Sequence, residues 1–157
     1  MLKKYLLAAL ISMVPLIELR GGVPVAMGMG MGAIEAIVVC SIGNMLPVPV
    51  IYLFARKVLI WGSTKPCIGG LFTKILVKGE KAGQKLVETA SRQGMFIALM
   101  LFVGVPLPGT GAWTGTLAAS LLNMGWKSTT GAVSLGVLIA GVIMATVSAL
   151  GLHIFGL

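Results

Sequence analysis

At 157 residues, 57% hydrophobic and 10% charged, the chain carries more apolar surface than a soluble fold of its length can hide, because charged residues normally make up about a quarter of a soluble domain. Its net charge of +8 does not point to nucleic acid: eight of the twelve Lys and Arg lie between Arg56 and Arg92, with no DNA- or RNA-binding motif, as in a cytoplasmic loop between membrane segments. Aspartate is absent and His153 is the single histidine, so a hydrolytic triad and a zinc site are excluded, and no enzyme, metal or other cofactor is expected.

In chain order, Lys3-Lys4 and the apolar run after it resemble a signal peptide. No small-x-small cleavage site follows, so these residues stay in the expected fold. The first hydrophobic unit spans residues 5–32 and contains Pro15 and Pro24. Crossing the hydrocarbon takes about 20 residues of helix, and Tyr5–Val14 and Val23–Gly32 are each half that. Two half-helices joined by unwound backbone at Pro15–Gly22 make a re-entrant hairpin. Residues 33–59 are long enough to span, with a kink expected around Asn44, Pro47 and Pro49 and an interfacial close at Arg56-Lys57. Residues 60–92 form the basic segment. From Leu71 onward, Lys74, Lys78, Lys81, Lys85, Glu88 and Arg92 recur at helical spacing opposite an apolar face, an amphipathic helix that lies in the membrane interface or packs on the protein. A second hairpin follows at 94–122, broken at Pro106–Gly111, and a second span at 127–155.

Superposing Pro15-Leu16 on Pro106-Leu107 aligns the two breaks and the two spans, which divides the chain into repeats at 1–59 and 93–157 around the segment 60–92. The expected fold is an all-α integral membrane protein built as an inverted repeat, each half a re-entrant hairpin plus a transmembrane helix. One crossing per half gives the inverted topology. Residues 60–92 then lie in the cytoplasm, and the expected location is a prokaryotic inner membrane. Lys3-Lys4 fit that arrangement poorly, and a four-span alternative satisfies the charge rule better.

The chemistry concentrates at the breaks. Glu18 and Arg20 are ionisable groups at membrane depth, where such residues pair with one another or mark a transport path. A carboxylate there can take up and release a proton, and the bland reading is a polar turn at the water interface. Gly109 and Gly111 leave backbone N–H groups free to converge on an anion, with Thr110, Trp113 and Thr114 adding polar groups. Gly21, Gly22, Pro24, Asn44, Pro106 and Pro108 complete the candidate site. Glu35 reads as an interfacial residue.

The stretches Glu18-Leu19-Arg20-Gly21-Gly22-Val23-Pro24, Gly43-Asn44 and Pro106-Leu107-Pro108-Gly109-Thr110-Gly111-Ala112-Trp113-Thr114-Gly115 resemble the small multidrug export protein family, over nearly the whole chain. That family is in turn similar to the DedA and VTT-domain membrane proteins, a resemblance that implies two opposed re-entrant hairpins and the flipping of phosphate-bearing lipids. DedA proteins usually carry arginine in the second hairpin, and Val103–Gly115 has none. The expected partners are membrane lipids and an anionic lipid or small-molecule substrate, with a homo-oligomer open and no nucleic acid. Three functions compete: a proton-linked transporter or flippase, whose alternative cargo is a lipophilic drug, a passive scramblase, and a non-transport scaffold.

Overall fold

The computed structural model describes residues 2–65, 69–107 and 109–155. Its elements are α1 (Leu2–Met13), α2 (Glu18–Gly28), α3 (Ala33–Met45), α4 (Pro47–Ser63), α5 (Gly69–Gly104), α6 (Ala112–Leu121) and α7 (Trp126–Phe155). Every regular element among the described residues is a helix. Two stretches are long and apolar enough to cross a membrane: Ala33–Ser63, with 31 residues and a hydropathy of 2.0, and Trp126–Gly151, with 26 residues and a hydropathy of 2.3.

Prolines set the boundaries. Pro15 ends α1, since the residue before a proline is pushed out of the helical region. Pro47 opens α4, and Pro49 also falls in its first turn, where a missing N–H costs least. Leu46 between α3 and α4 keeps helical angles (φ −58, ψ −42), so the two helices form one kinked rod. This rod runs on to Ser63, past the Arg56-Lys57 close expected from the charges.

The first break is shorter than its sequence implies. Only residues 14–17 leave the helix, and Glu18–Gly22 are wound into the start of α2, which also accommodates Pro24 in its interior. Pro24 removes the donor to the Arg20 carbonyl and crowds that carbonyl with its ring, yet the helix runs on through it to Gly28. The second break covers 105–111, close to expectation, although Pro108 falls outside the described residues. Helix α5 holds two arms that meet at Ser91 (φ 53, ψ 165), whose hydroxyl accepts from the Gly94 N–H at 3.4 Å. The first arm carries the basic segment. Of its polar face, the side chains of Lys78, Lys85 and Glu88 lie outside the described residues, while Lys74 and Lys81 are exposed.

Packing follows the two halves. α1 lies on α2 and α3, while α5 lies on α6 and α7. Each short inner helix also reaches across to the other half: α2 packs on α7, and α6 on α4. Glycine makes the close contacts. The Ala9 carbonyl occupies the space a side chain would take at Gly43, and a Cβ at residue 136 would stand 2.7 Å from the Met100 carbonyl oxygen. Small residues at such crossings are how helices associate in lipid, where tails are as apolar as leucine and burial supplies no drive. Leu19, Val23, Val48, Val103, Val133 and Val137 are fully buried, whereas Leu10, Ile34, Leu53, Val142 and Leu150 are exposed in the manner of a lipid-facing shell. At the far end of α1, the Tyr5 hydroxyl donates to Glu35 at 3.3 Å, so Glu35 ties α1 to α3.

Gly43→Ala therefore lowers stability by about 1–3 kcal/mol, because the new methyl meets a backbone oxygen that cannot turn aside. Gly151→Ala, in α7 with open space around it, is neutral or slightly stabilising. Thermal unfolding of the two variants in one detergent measures the difference.

Candidate functional site at the junction of the two breaks

The tips of the two broken segments meet and exchange charges. Glu18, only 6% exposed, accepts hydrogen bonds from the backbone N–H groups of Ala112 (3.1 Å) and Trp113 (3.0 Å), the first two residues of α6. A helix start carries unpaired N–H groups and a partial positive charge, and a carboxylate satisfies both. Arg20 does the converse. Its guanidinium donates to the carbonyls of Leu107 and Thr110 and to the Thr110 hydroxyl, the last at 2.6 Å. That hydroxyl also lies 2.9 Å from the Val105 and Leu107 carbonyls, which fold the tip around it. Glu18 and Arg20, two apart in sequence, thus each clasp the opposite break.

Gly111 makes the contact fit. It adopts φ 150, ψ −172, and a Cβ there would overlap the Glu18 carboxylate. Glu18 itself sits at φ 49 and Leu16 at φ 75, two non-glycine residues in left-handed backbone with Ile17 between them. Such conformations cost about 1–3 kcal/mol each and persist where surrounding contacts hold them.

A cavity of about 630 Å³ opens beside the clasp, lined at its polar end by Glu18, Arg20, Gly109, Thr110, Trp113 and Thr114. The N–H groups that hold the Glu18 carboxylate are those of Ala112 and Trp113 at the start of α6, just past the Gly109–Gly111 stretch that sequence offers to an anionic ligand. The remaining walls are apolar: Ile51, Phe54, Ala55, Val58 and Leu59 of α4, and Leu117 and Leu121 of α6. The α4 wall was missed by motif reading, yet its spacing of three and four residues is the signature of a single helix face. Leu16 at the mouth is 88% exposed, and Phe54, Val58 and Leu117 are exposed as well, so the cavity is a groove open on the shell of apolar side chains.

Other candidate residues stand apart from the groove. Gly21 packs on Ile17, and Gly22 on Ser12 and on Cys40, whose sulfur would lie 3.2 Å from a Cβ. Pro24 is interior to α2, and Pro106 is half-buried in the second break without lining the groove. Asn44 is 2% exposed in α3, and its side-chain oxygen has no hydrogen-bond partner among the described residues.

Gly111→Ala and Glu18→Gln both disrupt the same clasp. The glutamine amide retains one acceptor but turns an NH2 toward a backbone N–H, at a cost of about 1–3 kcal/mol. Each variant alone lowers the melting temperature, and the double variant loses less than the sum of the two; additive losses in that cycle would show that the residues act separately.

No match to a curated protein or to a solved structure was found. Residues 18–143 match the family described as "Putative small multi-drug export protein". The matched region begins at Glu18 and takes in both halves of the clasp, the α4 wall and most of α7, and so the chain belongs to the small multi-drug export protein family.

Proposed function

We propose that the protein is a membrane transporter whose cargo is an amphiphile held in the groove, with its polar end at Arg20 and its apolar body along α4. The observation that carries this reading is the pairing of an apolar groove, open toward lipid, with a charged clasp at its inner end. The family name supports export across a membrane. In this reading α1–α2 and the apolar arm of α5 with α6 are re-entrant hairpins, entering from opposite faces, and the cross-packing of α2 on α7 and α6 on α4 supports an inverted repeat.

Arg20 decides the sign of the cargo. Glu18 is deeply buried behind two N–H donors, whereas Arg20 is half-buried and keeps guanidinium N–H groups beyond those given to the tip. The charge presented to the groove is therefore positive, and an anionic end such as a phosphate fits it. The test uses Trp113 as reporter in a Trp61→Phe/Trp126→Phe background. Dodecyl phosphate changes its fluorescence, and Arg20→Ala weakens that binding by roughly tenfold or more. Dodecyltrimethylammonium binding that survives Arg20→Ala, with no dodecyl phosphate binding to the parent, would instead favour the second reading, an exporter of lipophilic drugs, which the mostly apolar lining supports.

Glu18 is the proton carrier in this proposal, because protonation removes the charge that holds it on α6. Transport of a fluorescent short-chain phosphatidic acid by wild-type proteoliposomes depends on pH, and Glu18→Gln abolishes that dependence. An unchanged rate and pH profile in Glu18→Gln would leave a passive scramblase as the better description.

A further inference from the structure

We infer that the groove is one of two alternating openings onto the same clasp, the second lying between α2 and α7. The inference rests on the inverted-repeat reading above and extends it. The repeat relates α2 to α6 and the α3–α4 rod to α7. The α2–α7 contact is then the counterpart of the α6–α4 contact, and the two are in opposite states. Between α4 and α6 the groove is open down to Glu18. Between α2 and α7 the chain is closed: Leu19, Val23 and Ala26 are buried on α2, and Val137 and Ala140 are buried on α7. Gly141 lets Leu19 and Ile37 approach, since a Cβ there would lie 3.6 Å and 3.1 Å from their side chains.

The two contacts also differ in what holds them. α6 is pinned to α4 by directional bonds, from the Ser120 hydroxyl to the Tyr52 carbonyl at 3.0 Å and, just past α6, from the Tyr52 hydroxyl to the Met124 carbonyl at 2.6 Å. These pins leave the groove to open along its other edge. On α7 the hydroxyls of Thr130, Thr146 and Ser148 bond back to carbonyls of α7 itself, so they give nothing to α2. The α2–α7 seam consists of small and apolar side chains, and lipid tails or an apolar cargo replace such contacts at little cost. Adjacent residues of α2 serve the two openings: Glu18 lines the groove, and Leu19 packs on the closed seam. Exchanging the conformations of the two halves closes α4 on α6 and parts α2 from α7, exposing the clasp on the other side.

The experiment measures distances between spin labels on exposed sites of the full chain in lipid nanodiscs, with Phe54 and Leu117 reporting the groove and Val25 and Val142 the seam. Wild type gives two populations at the seam, the second about 5 Å or more longer. Gly141→Leu wedges the seam, enlarges the longer population and shortens the Phe54–Leu117 distance. Ala26→Leu places the wedge on α2 and gives the same result where Gly141→Leu does not fold. A single invariant distance at both pairs in every variant overturns the inference, and so does a change confined to the seam with Phe54–Leu117 unmoved. Because the readout needs no cargo, its failure is separate from that of the transport proposal, which stands or falls in the liposome assay.

Discussion

Backbone that stops being helical inside a membrane must find partners for its freed N–H and C=O groups, because lipid supplies none. In this protein two breaks meet that requirement for each other. The carboxylate of Glu18 covers the first N–H groups of α6, and the guanidinium of Arg20 covers carbonyls of the tip before it. Each charge lies against backbone groups of opposite partial charge. Charge-assisted bonds of this kind contribute about 1.5–3 kcal/mol each, more than neutral ones. They offset the left-handed angles at Leu16 and Glu18 and make glycine necessary at 111.

Around the clasp the packing is that of helices in lipid. Contact is made where glycine admits a neighbour's backbone, as at Gly43 with Ala9 and Gly136 with Met100, while large aliphatic side chains point outward. Dispersion between closely approaching helices replaces the hydrophobic drive that holds a soluble core together. The kinked rod of α3 and α4 and the long α7 frame the short helices, and the α4 half of that rod doubles as the wall of the groove.

The same two side chains therefore serve stability and the site. A carboxylate whose charge ties the two breaks together also lines the groove, and a guanidinium that braces a tip also faces it. Substitutions there are read correctly only when stability and ligand binding are measured side by side, since the contact that holds the breaks together also lines the groove.

Much was legible in the linear chain. Composition dictates a membrane protein, because that much apolar surface has no aqueous solution. Half-length apolar runs around Pro15 and Pro106 announce the breaks, and Glu18 and Arg20 are conspicuous as charges in such a run. The extent of the first break was not legible: Glu18–Gly22 wind into α2 despite two glycines and Pro24, since helical bonding satisfies the backbone at depth better than an open turn. What only the tertiary structure decided is who pairs with whom. Residues 18 and 112 lie far apart in sequence, and no local pattern says that a carboxylate will occupy the very N–H groups an outside anion would seek, or that a face of α4 will stand opposite them. Periodicity and breakers act over a few residues and set helices and their ends. Long-range complementarity of charge and shape sets the site, and it exists only once the two halves have packed.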